Sequence, residues 1–447
     1  MIKRQTVQAR RRHPDFVRGG ETGLSIPSHP EALKEAGPRF LTEAFQAWGA
    51  LGADNAVERI VDAVPCPGGS TGAKIFLTVE YARPHRALHE ELFVKFSRDF
   101  NDPSRDDRGK FEMQGEISLA RLSRLPDFPV RVPRVYFADQ EQATHTGILV
   151  TERIAFGEGG LEEHHAKCLD YRIEEPLEHY RAIMKSLARL AGAQRSNRLA
   201  GEVETLFSYH PDVAATSIPI GYSASDLRER VLQFQRFVEE APQLFPAPLR
   251  EPAFFARLAE ESGRFAGQEA AINAFLQSDP AFIALCHWNA NIDNAFFWRG
   301  EDGPLECGLM DWGRAGRMNV AFAIWGSLSA AHHDIWEHHL DDLLLLFAKT
   351  LAGEGGPRLP ISVLRLHLEL YAGIMGLSYF LDCPARIRNA APTVMTAAGI
   401  HDPVVEGHEH VRNQLHIATV VLNLWRRRGL GALLDSLSHQ TAGHAGS

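Results

Sequence analysis

Two polar positions in the second half of the chain have the chemistry to hold a divalent cation on phosphates. Asn294 and Asp311 lie just beyond short apolar runs, in the stretches ALCHWNANIDNAFFW and LECGLMDWGRAG. Magnesium takes hard oxygen ligands, of which a protein supplies one or two while phosphates and water supply the rest. An ionised aspartate and a neutral amide oxygen suit that set. The apolar runs are expected to be strands over Ala281–Cys286 and Gly308–Met310, with His287, Asn289 and Asp293 on the loop after the first. An amide such as Asn289 cannot accept a proton at neutral pH.

Earlier in the chain, Lys95 sits inside the alternation Leu92-Phe93-Val94-Lys95-Phe96, which reads as a strand. A lysine in a strand is by default an edge residue pointing to water. The turn Gly68-Gly69-Ser70-Thr71-Gly72 separates two preceding strand patterns. It could drape backbone N–H groups over phosphates, although glycine hairpins are common in any sheet. Neither G-x-x-x-x-G-K-[ST] nor G-x-G-x-x-G is present, so no Walker or Rossmann site is offered. The segment FEMQGEISLARLSRL has helical spacing and carries Glu112 and Glu116, which share much the same face.

The loop His287-Trp288-Asn289-Ala290-Asn291-Ile292-Asp293-Asn294, followed by an apolar strand and Asp311-Trp312, resembles the aminoglycoside phosphotransferase-like branch of the protein-kinase-like fold. That branch also includes choline and ecdysteroid kinases. Its loop usually reads H-G-D-x-x-x-x-N, so the catalytic aspartate position is Asn289 here. The resemblance implies an α+β, bilobed protein-kinase-like fold with a small antiparallel-sheet N-lobe and a large, mostly helical C-lobe. ATP and Mg2+ are the implied cofactors, bound between the lobes, and a hydroxyl of a small molecule is the implied acceptor. Asn294 and Asp311 would hold the metal, and His287 would brace the loop. Lys95 would contact phosphates and pair with Glu116, with Glu112 as the alternative partner. The backbone of Glu152 and Ile154 would meet adenine. Asp293 could replace the missing base if the loop rearranged.

Two other readings remain open. One is a catalytically impaired pseudokinase serving as a nucleotide-binding or scaffold module, which Asn289 favours. The other is a nucleotidyl transferase on the same fold.

The bulk composition is ordinary for a globular protein. Of 447 residues, 45% are hydrophobic and 23% charged, so no class of disordered or fibrous protein is indicated. The net charge of −9 argues against a general nucleic-acid binder. Five scattered cysteines form no C-x-x-C pair, which suggests neither zinc fingers nor a disulfide framework and fits a cytoplasmic setting. No apolar run is long enough to span a bilayer. The expected organisation is a flexible basic arm to about residue 27, then two short helices to 52. An N-lobe over 53–155, a helical C-lobe over 156–432 and a disordered tail over 433–447 complete it. Within the C-lobe, residues 225–277 read as two helices. The paired histidines at 332–333, 338–339 and 408–410 lack H-E-x-x-H spacing and read as helix surface.

Overall fold

A computed structural model describes residues 13–300 and 303–433. The start of the basic arm and the tail beyond Leu433 lie outside the described residues. The chain divides into two compact units. The first, the sheet unit, runs up to Arg124 and adds Val132–Ile154 and Asp311–Arg314. The second, the helical unit, holds Leu125–Arg131, Ala155–Met310 and the chain from Ala315 onward. The sheet unit therefore differs from the expected 53–155 segment in taking in the residues before it and the short Asp311–Arg314 stretch.

The sheet unit begins with a hairpin of β1 (Phe16–Arg18) and β2 (Ser25–Pro27). This corrects the expectation of a flexible arm across these residues. Its polar composition conceals an anchor supplied from far along the chain: the buried Asp139 carboxylate accepts the Glu21 N–H at 3.0 Å, and the Thr22 N–H and hydroxyl at 2.9 and 2.5 Å. Helix α1 (Pro30–Trp48) follows, broken at Gly37 (φ 64°) before Pro38, which accounts for the two helical patterns in the sequence. Its Phe40, Phe45 and Trp48 pack on Tyr136 and Phe137.

Strands β3 (Val57–Pro65), β4 (Lys74–Tyr81), β5 (Glu91–Phe96), β6 (Val135–Glu141) and β7 (Thr146–Glu152) form one antiparallel sheet in the order β3-β4-β5-β7-β6. The period-two pattern sets which side chains face the core: Ile75, Leu77, Val79 and Tyr81 from β4 with Leu92, Val94 and Phe96 from β5. Helix α2 (Pro103–Leu122) starts at Asp102, whose side chain accepts the N–H groups of Ser104 and Arg105, with Pro103 in the first turn.

In the helical unit, α3 (Pro176–Arg195) buries Ile183, Leu187, Leu190 and Ala191 on one stripe. Next come the short α4 (Ala200–Leu206) and α5 (Pro211–Thr216). The 225–277 region contains three helices rather than two: α6 (Ala224–Glu240), α7 (Pro252–Gly267) and α8 (Glu269–Ser278). The last two are separated only at Gln268, a break too brief to show in periodicity. Strand β8 is Ile283–His287, later than expected because Pro280–Phe282 forms a 3-10 turn capped by Asp279. Strands β9 (Ala295–Arg299) and β10 (Leu305–Leu309) pair with each other, and β11 (Ala315–Asn319) pairs with β8. The second apolar strand thus lies earlier than the expected 308–310. Helices α9 (Val320–Leu328), α10 (Leu340–Gly353), α11 (Ile361–Met375), α12 (Cys383–Ala390), α13 (Pro403–Glu406) and α14 (Glu409–Arg428) complete the unit. No helix among the described residues is long and apolar enough to cross a membrane.

Replacing Asp139 by Ala strands donors that the carboxylate now satisfies. We expect a loss of about 3 kcal/mol in urea unfolding and new protease cuts within residues 13–27; an unchanged midpoint would contradict the anchoring role.

Candidate functional site

Lys95 lies on β5, a central strand of the sheet rather than an edge, and alternates away from Leu92, Val94 and Phe96. Its ammonium is almost fully enclosed and donates to Glu116 Oε1 at 2.6 Å and Asp311 Oδ1 at 2.7 Å. Burial disfavours the charged lysine, but the Asp311 and Glu116 carboxylates outweigh it and hold the Lys95 pKa above its ordinary value. Burial pushes the Glu116 carboxyl above the usual carboxylate range, with Lys95 opposing and the Asp311 charge adding. Fully ionised, this trio carries two negative charges and one positive. The Lys74 ammonium, which lies across the sheet from Lys95 and feels the Asp311 and Glu116 charges, brings the local sum to zero.

Glu116 reaches this position because α2 meets the Asp311–Arg314 turn backbone to backbone. A Cβ at Gly115 would lie 3.0 Å from the Gly313 carbonyl oxygen, and one at Gly313 would lie 2.8 Å from Glu112 Cβ. The close approach lets Glu116 Oε2 accept the Trp312 N–H at 3.1 Å. Asp311 adopts φ 59°, a left-handed conformation that aspartate tolerates better than most residues. Glu112, the alternative partner for Lys95, instead accepts from Arg314 at 2.9 Å, and Arg317 pairs with Glu204 at 2.7 Å.

The turn before β4 carries three glycines in the left-handed region, Gly68, Gly69 and Gly72. The Gly72 N–H is already given to the Arg105 carbonyl, and a Cβ there would fall 1.8 Å from the Phe96 carbonyl oxygen. Among the described residues, the N–H groups of Gly68, Gly69, Ser70 and Thr71 meet no acceptor. Those four, rather than all five, can form an anion-binding nest. A Cβ at Gly69 would strike Lys74 Nζ at 1.9 Å, so the glycine lets this ammonium lie under the turn. The sequence reading missed Lys74. It is the direct cross-strand partner of Lys95, so both project from one sheet face. Among the described residues its ammonium has no hydrogen bond or ion pair. Burial, then the Lys95 charge, lowers its pKa. Hairpin register was the missing signal, and it cannot be read through a turn of this length.

At the end of the sheet, the Glu152 N–H donates to the Arg134 carbonyl at 2.8 Å, and its own carbonyl accepts the Thr151 hydroxyl at 2.9 Å. Ile154 lies just beyond β7 and is half-buried.

In the helical unit, His287 is fully buried and its Nε2 donates to the Met310 carbonyl at 3.0 Å, next in the chain to Asp311. The Met310 N–H donates to the Asn294 carbonyl at 2.9 Å. Asn294 Nδ2 donates to the Asn289 carbonyl at 2.8 Å, which leaves the side-chain oxygen as the Asn294 atom for a cation. Asn289 Oδ1 accepts from Asn291 Nδ2 at 2.9 Å. The backbone carbonyl of Asp293 accepts from His164 Nε2 at 2.9 Å, while its Oδ1 is buried without a partner. The Asp293 charge adds to burial and to Asp170 in raising the pKa of the Cys168 thiol and the Tyr180 phenol. This inward placement gives no support to Asp293 as a replacement base.

Comparison with solved structures finds distant likenesses. The chain is similar to a microcompartment-associated aminopropanol kinase, with 14% identity, 87% of this chain and 98% of that chain covered, and a TM-score of 0.42. It is similar to a Plasmodium vivax ethanolamine kinase, with 12% identity, 83% of each chain covered and a TM-score of 0.42. It is also similar to the GDP complex of an aminoglycoside 2'-phosphotransferase, with 13% identity, 80% and 93% covered, and a TM-score of 0.38. No family model matches the chain, and no curated protein matches its sequence.

The two lysines differ in what they hold. Lys95→Met would leave two carboxylates facing each other, and we expect a loss of about 3–5 kcal/mol in urea unfolding. Lys74→Met removes a half-buried charge with no ion pair and should change stability by less than about 1 kcal/mol. Equal effects of the two substitutions would contradict this assignment.

Proposed function

We propose that this chain is an ATP- and Mg2+-dependent phosphotransferase acting on a hydroxyl of a small molecule. The observation that carries the reading is the enclosed Lys95 ammonium, shared by Glu116 and Asp311 beside a turn with four unmatched N–H groups. In this reading Lys95 and the 68–71 turn bind the nucleotide phosphates, and the backbone of Glu152 and Ile154 meets the base. Asp311, with its side chain 39% exposed, and the Asn294 side-chain oxygen would hold magnesium. When bound, that ion would neutralise charge on the transferring phosphoryl group. His287, bonded to the Met310 carbonyl, would brace the loop.

Asn289 stands where a general base would be. Its side-chain oxygen can accept a hydrogen bond from the acceptor hydroxyl and orient it, but it cannot take the proton. Loss of a general base costs about 10²–10⁴ in rate, whereas phosphoryl transfer depends mostly on positioning and charge neutralisation. A slow transferase is compatible with this loop. The second reading, a nucleotide-binding module without transfer, is favoured by the same Asn289, whose acceptors already brace Asn291 and Asn294.

A thermal-shift titration with ATP, with and without magnesium, tests the proposal. At about a hundredfold excess over Kd we expect a rise of about 3 °C, dependent on magnesium and lost in Asp311→Asn, a change that keeps the left-handed backbone accessible. No shift in the wild type would sink both readings. With binding established, Asn289→Asp should raise phosphate transfer about 10²-fold. Binding without transfer in either form would leave the module, and transfer of the adenylate group would mark a nucleotidyl transferase.

A further inference from the structure

Glu162, His165 and His179, none of which has a role assigned above, converge in the helical unit, with one ligand atom of each within 4.8 Å of the others. We propose that they form a site for a zinc-class transition-metal ion, and that this ion fixes the segment bracing the 289–294 loop. The proposal is independent of the phosphotransferase reading.

The geometry has three parts. Both imidazoles present Nε2 to a single oxygen: Glu162 Oε2 lies 2.9 Å from His165 Nε2 and 2.7 Å from His179 Nε2. At the same time His179 Nδ1 faces the Glu175 carbonyl at 3.0 Å. Both nitrogens of this buried ring thus face acceptors, although a neutral imidazole carries one N–H. If Nδ1 keeps the proton and donates it to Glu175, the Nε2 lone pair points at a carboxylate oxygen. A metal ion between them resolves that conflict. The Glu175 carbonyl then acts as the outer hydrogen-bond acceptor that metal-binding histidines almost always have.

Second, the ligands are held in place before any ion arrives. The Phe297 ring packs against His179 at 4.7 Å and His165 at 5.7 Å. The Glu162 N–H donates to the Phe297 carbonyl at 2.9 Å, and Leu161 bridges to Trp298. Third, the site has an opening. The Glu162 side chain is 32% exposed and that of His165 18%, so water can supply a fourth ligand. Two imidazoles, a carboxylate and water form a known zinc coordination set, and imidazole ligands select such ions over magnesium or calcium. Tetrahedral bonds of about 2.0–2.1 Å put ligand atoms about 3.3 Å apart, so Glu162 Oε2 would draw back from each imidazole nitrogen by about half an ångström. Among the described residues, the cluster His332-His333-Asp334 consists of consecutive residues with two of the three exposed, and no outer acceptor orients its rings.

The placement gives the ion a role. His164, beside His165, is hydrogen-bonded to the Asp293 carbonyl, next to Asn294. Tying residues 162–165 to α3 therefore holds the loop through His164.

The test uses the untagged full chain, stripped with a chelator and dialysed. Titration with Co2+ should give one equivalent of a d–d absorption band that Zn2+ displaces, and Zn2+ should raise the melting temperature. His165→Ala should abolish the band, and Glu162→Gln, which keeps its shape and its side-chain oxygen, should weaken binding at least tenfold. Circular dichroism confirms that each variant is folded. Asp311→Asn and the double variant His332→Ala/His333→Ala should leave the band intact. Failure of the wild type to take up Co2+ or Zn2+ would overturn the proposal and leave an imidazolium–carboxylate pair. A band that survives in folded Glu162→Gln and His165→Ala, or disappears in His332→Ala/His333→Ala, would also overturn it.

Discussion

A buried ammonium shared by two carboxylates is the constraint on which the sheet unit depends. Enclosing Lys95 without partners would cost several kcal/mol, and removing either partner leaves a buried charge uncompensated. Each neighbouring element is shaped by that demand. The strand order puts Lys95 in the sheet interior, and glycines at 115 and 313 bring α2 against the Asp311 turn. Asp311 accepts a left-handed backbone to direct its oxygen at the lysine. These are local costs, of about 1–3 kcal/mol for a residue in a sparsely populated region.

The helical unit solves a different problem with neutral groups. There the loop is held by a chain of amide and carbonyl contacts from His287 to Met310, from Met310 to Asn294, and from Asn294 and Asn291 to Asn289. Such contacts carry no net charge into a buried region.

The sequence showed the chemistry-bearing residues better than the supports around them. Alternation placed Lys95 on a strand, helical spacing placed Glu116 on a facing helix, and both follow from periods of two and 3.6. The α+β class was legible for the same reason. What escaped were features decided by distant partners. Asp139 orders a hairpin more than a hundred residues away, which composition cannot reveal. Lys74 joins Lys95 only through register across a long turn. The gathering of Glu162, His165 and His179 likewise depends on a connection bending back to α3, so their spacing carries no helical or hairpin signature. The choice of Glu116 over Glu112 was settled by which glycine permits close approach.

The part Asn289 plays in its loop has an evolutionary consequence. In the contacts that shape the loop it serves as an acceptor, through its side-chain oxygen towards Asn291 and its backbone carbonyl towards Asn294. A carboxylate offers the same acceptors with almost the same shape. The asparagine and aspartate codons are separated by a single base change, so the chain can gain or lose a proton acceptor without rebuilding its scaffold. The loop contacts seen at this position would accept either residue, so they do not by themselves hold the chain to asparagine.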